Sequence, residues 1–520
     1  MRAPTLLVAL SLFVLTPVLA GCVTPPEDVT SASTDSATAM GLSLGEPIEG
    51  ITNATAVSVG PDGLLREALG LLPVNRYTGH DAGEPTLGVT SDGVIFYAAA
   101  TFSNEILGQA APLPRTDILR SADAGASWDD VTPYLPGGLV RQHPETGDPM
   151  VYVDPSTDRV FDIDQRAAVG CHTVTFSDDL GETWFANSAP TCLTPPADHQ
   201  TIVAAPPRLL TTAGYPNIVY VCWNIIATAD CVRSLDGGMS FTPTGPTGAM
   251  GVKPDKAADI ILADDVSGLC SSTVGHLAAA PDGTVYMPRR ACDEATVFIT
   301  RDDGTTWERV VVTDAVAPYH GGGVVGMDPA VSVDAEGNVH YIFQGADGHL
   351  YYLYSTDAGA TWSSPRDILP AGLSVANLAT ITAGDAGQVA LAYVASTVPG
   401  GYEADEETMA NASWDAYMTL ISDATGAAAR TTTVRLNPAD DPLVRGSCGP
   451  GRCNNPGLVD FIDIVIDGEG RPWVALVDNC IEACAGADGT ADDSTGAAGF
   501  VATLAAGPRL RGSGALTPLA

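Results

Sequence analysis

One octet recurs five times along this sequence, and it constrains the fold more than any other feature. The shared pattern is Ser/Thr-x-Asp-x-Gly-x-Ser/Thr-aromatic. The copies are SADAGASW at 121–128, SDDLGETW at 177–184, SLDGGMSF at 234–241, TRDDGTTW at 300–307 and STDAGATW at 355–362. Asp and Ser/Thr side chains bond nearby backbone amides, Gly takes positive φ, and the aromatic residue starts the next strand. Each octet therefore predicts a hairpin turn.

The spacing of the octets indicates the architecture. Their aspartates are 56, 57, 66 and 55 residues apart. A period slightly above fifty residues is typical of four-stranded propeller blades and not of helical solenoids. We assign a structural role to the aspartate and the aromatic residue of each copy: Asp123, Trp128, Asp179, Trp184, Asp236, Phe241, Asp302, Trp307, Asp357 and Trp362.

A second periodic feature is a series of short alternating strands that meet at tight turns containing Asp, Gly, Pro or Asn. The pairs lie at 83–98, 147–163, 201–223, 275–287, 327–343, 379–394 and 460–476. Each pair predicts the inner hairpin of one blade, although the last two have no recognisable octet. The segment 56–72 can supply a closing strand or a short helix, and helix is otherwise scarce. The expected fold is therefore all-β, a single propeller with seven blades.

The octets resemble the Asp-box, or BNR repeat, of the sialidase superfamily of β-propellers. The resemblance covers about residues 75–505, and it implies that each box lies between the third and fourth strands of a blade. Sialidases have six blades, which is the alternative to seven. Propellers of this superfamily include sialidases, xyloglucan-cleaving glucanases, sorting receptors and photosystem assembly factors. Fold alone does not decide between such functions.

The N-terminus has the form of an export signal, which we assign to residues 1–21. Its apolar run from Leu6 to Leu19 is too short and Pro-interrupted to span a membrane. The run ends in Leu-Ala-Gly-Cys22, which resembles the lipobox of prokaryotic lipoproteins and implies a lipid on Cys22. The alternative is an ordinary cleaved signal with a chance cysteine. Residues 22–50, rich in Thr, Ser, Pro and acids, predict a flexible tether before a propeller at 51–510.

The cysteines agree with export to an oxidising compartment. Without Cys22, ten of the eleven cysteines remain, as a set of disulfides requires. They lie in sequence-near couples: Cys171 and Cys192, Cys222 and Cys231, Cys270 and Cys292, Cys448 and Cys453, Cys480 and Cys484. The last four can instead cross-pair or form a four-sulfur metal site. We expect an extracytoplasmic protein, anchored to the cell membrane by its lipid.

The charge balance excludes partners that carry many negative charges. The formal net charge is −38, from 62 acidic and 24 basic residues. Such a surface repels nucleic acid and anionic lipid, because phosphate binding needs a basic footprint. The expected partner is a glycan or a cell-surface protein, with membrane contact through the lipid alone, and we expect a monomer.

The resemblance places the functional mouth at the starts of first strands and the ends of second strands. First-strand starts carry four candidate catalytic carboxylates: Glu84, Asp148, Asp328 and Asp460. Candidate ligand-binding residues at the same end are Arg166, His199, His276, Arg289, Arg290, Tyr319 and His320. Five of the eight histidines fall on this face, since His80 and His143 precede first strands as well.

The first interpretation of the mouth is hydrolysis of sialosides. Sialidases hold the substrate carboxylate with three arginines and use a Tyr–Glu nucleophile with an Asp acid/base. Their first arginine lies in an Arg-Ile-Pro motif that opens the first blade. Here that stretch reads Ala-Gly-Glu-Pro at 82–85, with Gly83 at the arginine position. Arg166 and Arg289 or Arg290 can rebuild an anion clamp, but the family motif is absent.

The second interpretation is binding or hydrolysis of another glycan, with two mouth carboxylates as acid and base. These carboxylates with His199 and His276 can also coordinate a metal, although the chain has no compact ligand motif such as His-Glu-x-x-His. We expect no cofactor, with Ca²⁺ at an acidic turn as an option. The third interpretation is a scaffold in which these side chains only cap turns. The sequence favours glycan or surface-partner binding, with exo-sialidase hydrolysis as the alternative.

Overall fold

The computed structural model describes most of the chain from residue 57 onward. The described residues are 57–59, 65–67, 71–104, 109–133, 146–166, 171–191, 197–225, 228–249, 271–291, 294–314, 328–345, 347–401, 404–446, 448–449, 452–453, 461–481, 484–485 and 496–519. The predicted signal, Cys22 and the tether lie outside them. Within these ranges, no helix combines the length and hydrophobicity needed to cross a membrane.

Seven antiparallel blades, each built around four strands, form the propeller. Two short strands, β1 (Val57–Val59) and β2 (Leu65–Glu67), and the longer β3 (Leu72–Asp81) precede the first complete blade. Blade 1 consists of β4 (Gly83–Val89), β5 (Ile95–Asn104), β6 (Gln109–Ser121) and β7 (Asp129–Asp130). Blade 2 consists of β8 (Thr146–Val153), β9 (Val160–Arg166), β10 (Cys171–Ser177) and β11 (Phe185–Ser188). Blade 3 consists of β12 (Asp198–Ala205), β13 (Ile218–Ile225), β14 (Thr228–Ser234) and β15 (Thr242–Pro243).

The next two blades repeat this order, from an inner strand outward. In blade 4 the inner strand is split into β16 (Ser271–Val274) and β17 (Ala278–Ala279), followed by β18 (Val285–Ala291), β19 (Glu294–Thr300) and β20 (Glu308–Thr313). Blade 5 consists of β21 (Ala330–Val333), β22 (Val339–Gln344), β23 (Leu350–Ser355) and β24 (Arg366–Asp367).

The last two blades carry additions. Blade 6 consists of β25 (Val375–Ala383), β26 (Val389–Ser396), β27 (Ser413–Ser422) and β28 (Arg430–Arg435), with α1 (Glu406–Ala410) before β27. Strands β2 and β1 continue its outer edge, and β29 (Val444–Arg445) pairs with β27. After the small ladder of β30 (Cys448–Gly449) and β31 (Arg452–Cys453), blade 7 consists of β32 (Asp463–Ile466), β33 (Pro472–Asp478), β34 (Ala498–Ala506) and β3. Seven blades are therefore confirmed.

The ring is closed by the N-terminal strand β3, which pairs with β34 as the fourth strand of blade 7. Tyr77 of β3 stacks on Phe500 of β34, with ring centroids 5.1 Å apart. The closing strand therefore begins where the predicted segment 56–72 ends. Within that segment, β1 and β2 join blade 6 instead, so a placement of the closing strand at 56–72 was wrong.

The core lies between neighbouring blades, and this explains the composition of the central strands. All eight residues of β26 and all seven of β33 are buried. A blade packed on both faces needs near-continuous apolar runs and not an alternating pattern. Alanine and valine in β26 keep these strands thin enough for close packing of the next blade.

The octets form turns between the third and fourth strands of blades 1–5, at the end of the propeller where the inner strands finish. In the first, Asp123 Oδ1 accepts a 2.8 Å bond from the amide of Ser127, and Oδ2 accepts a 2.6 Å bond from its hydroxyl. The other four copies repeat both contacts. The aromatic residue reaches the preceding blade in the second copy, where Trp184 Nε1 donates to Val131 O at 2.8 Å.

Two disulfides lie within the described residues, Cys222–Cys231 and Cys480–Cys484. The first joins residues directly opposite each other on β13 and β14. The second excludes cross-pairing of the last four cysteines and a metal site made from all four. Disulfides agree with an oxidising compartment.

Candidate functional site

The inner strands of all seven blades line a central channel of roughly 1110 Å³, including space open to solvent. The channel mouth, as we use the term, is the end at which these strands begin. A smaller pocket, of roughly 360 Å³ including space open to solvent, opens there. It is lined by residues of blades 3 to 7: His199, Gly275, His276, Asp328, Pro329, Ala330, Leu378, Ala379, Thr380, Phe461 and Ile462. Three of the sequence-predicted site residues therefore meet in one pocket.

His199 and Asp328 form an ion pair on the pocket wall, with His199 Nε2 3.3 Å from Asp328 Oδ2. The other ring nitrogen, Nδ1, lies 2.9 Å from the carbonyl oxygen of Val274. The Thr273 hydroxyl also donates to the Asp328 carboxylate. A carbonyl can only accept, so Nδ1 carries the hydrogen of this contact. The pair places an imidazole and a carboxylate on the wall of the pocket.

His276 and Asp463 form a second pair, with His276 Nδ1 3.4 Å from Asp463 Oδ1. Phe461 lies between the two pairs, with its ring centroid 5.2 Å from that of His199 and 5.8 Å from that of His276. Both imidazoles meet it in edge geometry. The pocket thus combines an aromatic ring with the His199–Asp328 pair and His276, while Asp463, the partner of His276, lines the channel.

Asp463 also joins blade 7 to blade 1, because its Oδ2 accepts a 3.0 Å bond from the amide of Leu87. The same contact recurs elsewhere: Thr86 Oγ1 accepts from Val151 at 2.9 Å, and Thr201 Oγ1 accepts from Leu277 at 2.9 Å. In each case, an inner-strand side chain accepts a hydrogen bond from a backbone amide of the next blade's inner strand.

This recurrence locates His276. The amides of Leu87 and Leu277 each donate to a side chain of the preceding inner strand, so these two leucines are equivalent. His276, which comes directly before Leu277, therefore corresponds to Thr86 and not to Glu84. His276 therefore lies deeper in the strand than the other predicted first-strand residues. That position brings its ring within reach of Asp463.

Glu84, Asp148 and His199 lie at equivalent bulges of the inner strands. Their φ angles are positive, at 50°, 43° and 51° respectively. The bulge turns the backbone and redirects the side chain. Asp148 Oδ2 accepts a 3.2 Å bond from the amide of His199, so this carboxylate joins blade 2 to blade 3. It contributes to the architecture of the mouth and does not line the pocket.

The predicted arginines fall into different environments. Arg289 is fully buried, and its Nη1 donates to Ala249 O. Burial lowers the pKa of Arg289 to about 10, although the negative charge of Asp328 acts in the opposite direction. Arg290 follows it on β18 and is half-buried. Arg166 ends β9, but its side chain lies outside the described residues, as do Asp460, Tyr319 and His320.

Sequence reasoning missed Phe461, Thr273 and Asp463. The signal for the blade 7 residues was available, since Phe461 occupies in DFID the place that Asp148 occupies in GDPM. A search restricted to polar residues passes over an aromatic one at that place. Within the described ranges, no three His, Cys, Asp or Glu side chains are grouped to hold a metal ion.

Comparison with known proteins gives a likeness of fold. No protein-family model and no curated protein sequence matches the chain. Among solved structures, a xyloglucanase from Xanthomonas campestris aligns over 84% of this chain and 64% of its own, at 14% identity and a TM-score of 0.44.

Two further structures align at similar levels. The intramolecular trans-sialidase from Ruminococcus gnavus aligns over 77% of this chain and 90% of its own, at 11% identity and a TM-score of 0.37. A protein of unknown function from Dyadobacter fermentans aligns over 83% and 98%, at 13% identity and a TM-score of 0.40. Likeness at this level concerns the propeller and not the chemistry of its mouth.

Proposed function

We propose that this protein binds a neutral glycan in the mouth pocket. The observation that supports this most directly is the placement of Phe461 between the His199–Asp328 and His276–Asp463 pairs. A sugar ring has an apolar C–H face and a rim of hydroxyls. An aromatic side chain suits the face, while carboxylate and imidazole groups accept from and donate to the hydroxyls.

The charges at the mouth favour a neutral sugar over sialic acid. Binding a carboxylate takes an accessible guanidinium fork. The buried Arg289 donates to Ala249 O and lies near the Asp328 charge, so it is not available as such a fork. The net charge of −38 adds a general repulsion toward anions.

Binding is better supported than hydrolysis. Glycoside hydrolases of the usual kind act with two carboxyl groups that flank one bond. Among the described residues that line the pocket, Asp328 is the carboxylate, while Asp463 is held by the amides of Leu87 and Ile464. A glycoside hydrolase, of sialidase type or another, is the alternative that the experiment below includes.

We also propose that the protein works outside the cytoplasm, attached through a lipid on Cys22 and acting as a monomer. The two disulfides support the compartment. The Leu-Ala-Gly-Cys22 motif supports the anchor. Mass spectrometry of the protein from membranes tests it: an N-terminal Cys22 peptide carrying acyl chains is expected, and an unmodified peptide contradicts the anchor.

The function is tested on a glycan array and on a panel of fluorogenic glycosides that includes sialosides, with and without Ca²⁺. We expect binding to neutral glycans without turnover. Asp328→Ala should weaken the binding of each hit about tenfold or more, because a charged hydrogen-bond partner is lost. Asp92→Ala, an exposed carboxylate in the turn after β4, is the matched control. Turnover of a glycoside would establish the hydrolase, and no binding to any glycan would refute the proposal.

A further inference from the structure

The mouth repeats one unusual backbone feature in four blades, with a different side chain each time. Glu84, Asp148, His199 and Leu378 all lie at bulges where the inner strand shifts register against the second strand. Leu378 has a φ of 51°, within the range of the other three. Left-handed backbone is unfavourable for residues with a β-carbon and is easiest for glycine and asparagine. Three of the four side chains are polar, and the fourth is leucine.

The backbone at this place does not itself require leucine, since glycine or asparagine adopts it with less strain. Leu378 lines the mouth pocket together with Ala379 and, from blade 7, Phe461 and Ile462. It is almost fully buried and also packs in the core cluster that joins blades 1, 6 and 7. Its side chain therefore forms a rigid part of the pocket wall.

The pocket is divided by blade. Blades 3, 4 and 5 contribute His199, His276 and Asp328, which are its hydrogen-bonding side. Blades 6 and 7 contribute a mainly apolar side that includes Leu378 and Phe461, with Thr380 as its polar member. A ligand that fills both sides needs hydroxyls on one edge and an apolar substituent on the other.

We propose that the mouth selects a pyranose that carries a methyl group, and that Leu378 determines this selectivity. The inference rests on the proposed glycan binding. The sugar hydroxyls face His199 and Asp328, and the methyl group contacts Leu378 and Ala379. Two kinds of sugar supply such a methyl group, 6-deoxy sugars and N-acetyl sugars, and the shared chemistry is the methyl group itself.

Matched pairs of sugars test the selectivity by titration calorimetry on the full protein. L-fucose against L-galactose and L-rhamnose against L-mannose report a 6-deoxy methyl group. N-acetylglucosamine against N-formylglucosamine reports an acetyl methyl group. The methyl-bearing member of at least one pair should bind roughly tenfold more tightly, the effect that an apolar pocket gives for one extra methyl group or against one added hydroxyl. The pair that responds identifies the source of the methyl group.

Leu378→Asn should abolish the preference, because asparagine tolerates the left-handed backbone but removes the apolar wall. Leu378→Met should retain it, and Leu209→Asn, at an exposed leucine in the β12–β13 turn, should leave it unchanged. Leu378→Gly serves as the second variant if Leu378→Asn does not fold. Measurable but equal binding of both members of every pair overturns the methyl selectivity alone. A preference that survives in both Leu378→Asn and Leu378→Gly overturns the role of Leu378. An absence of any sugar binding refutes instead the glycan function.

Discussion

His199 of blade 3 and Asp328 of blade 5 form an ion pair across blade 4, with Nε2 and Oδ2 3.3 Å apart. Blade 4 takes part through Val274, whose carbonyl accepts from Nδ1 of the imidazole, and Thr273, whose hydroxyl donates to the carboxylate. Three blades are thus joined at the mouth by one His–Asp contact. A local contact of this kind holds the pocket wall in place.

The His199–Asp328 pair should contribute to stability as a coupled unit. A double-mutant cycle of His199→Phe and Asp328→Asn should give a coupling free energy of about 1–2 kcal/mol, because both side chains are largely removed from water. The measurement is the free energy of unfolding in urea for the wild type, both single variants and the double variant.

A second His–Asp pair provides the matched comparison. His349 Nδ1 lies 2.8 Å from Asp367 Oδ2, but each side chain is about one third exposed. Solvent screens such pairs, so the same cycle with His349→Phe and Asp367→Asn should give no more than about 0.5 kcal/mol. Equal coupling in the two cycles would contradict the importance of burial at the mouth.

Asp463 should be a structural residue of the ring closure. Asp463→Ala removes the acceptor of the Leu87 and Ile464 amides, at 3.0 and 2.8 Å, and the partner of His276. Buried amides without acceptors are costly, so the free energy of unfolding should fall by about 2–3 kcal/mol. Thr201→Val removes one equivalent acceptor, for Leu277, and should cost about 1 kcal/mol. Urea denaturation of both variants checks the order, and a larger loss for Thr201→Val would contradict it.

The fold was largely predictable because its determinants are local. Each octet carries its own hydrogen bonds, such as those of Asp123 with Ser127, and so the five turns could be identified from the sequence. The inner hairpins were visible for the same reason. The closing strand β3 was not, because its partner β34 lies more than 400 residues away and no local pattern records that pairing.

The site was only partly predictable, since it depends on registers between blades. His199 and Asp328 were found because both lie at the start of an inner hairpin, but nothing local indicates that they meet. His276 was placed at the start of its inner strand, although it lies further along. No sequence pattern indicates that this strand is divided into β16 and β17. Phe461 and Leu378 were missed because an apolar residue at a strand start has the same pattern as core.

Asp478 should make the protein less stable as the pH rises from 4 to 7. It ends β33 in a buried position, where its Oδ2 accepts a 2.9 Å bond from the Tyr77 hydroxyl. Desolvation, with the nearby Asp441 charge, raises its pKa to about 6. In the unfolded chain an aspartate releases its proton near pH 3.9, roughly. The folded state thus binds more protons in this window, and the stability from this group is present below about pH 4 and lost as the pH rises through about 6.

Asp478→Asn tests this effect, because the amide resembles the protonated acid in shape and charge. The variant should be more stable than the wild type at pH 7 by about 2–3 kcal/mol, and close to it at pH 4. Urea denaturation at half-unit pH steps, compared as a difference between the two proteins, removes the contribution of other carboxylates. The exposed Asp92→Asn should show a difference near zero throughout. A difference that does not change with pH would contradict the raised pKa.

Gly359, in the fifth octet, should tolerate a β-carbon less well than a glycine with the same backbone and open surroundings. It has a φ of 86°, and a β-carbon there would lie 2.7 Å from Ile299 Cδ1 of blade 4. Gly337, in the β21–β22 turn, has a φ of 85° with nothing within 4 Å of its β-carbon position. Both alanine variants incur the left-handed strain of about 1 kcal/mol, and the contact with Ile299 adds a further 1–2 kcal/mol or so in Gly359→Ala.

The two variants therefore form a matched pair, with the same backbone strain and different surroundings. Thermal unfolding should show a clearly lower Tm for Gly359→Ala than for Gly337→Ala. Ile299→Val in the Gly359→Ala background removes the Cδ1 methyl group that the new β-carbon would meet, so it should recover part of the loss. Equal Tm values for the two alanine variants would show that the octet glycine is kept for its φ alone. The octet turn would then not depend on close packing against the neighbouring blade.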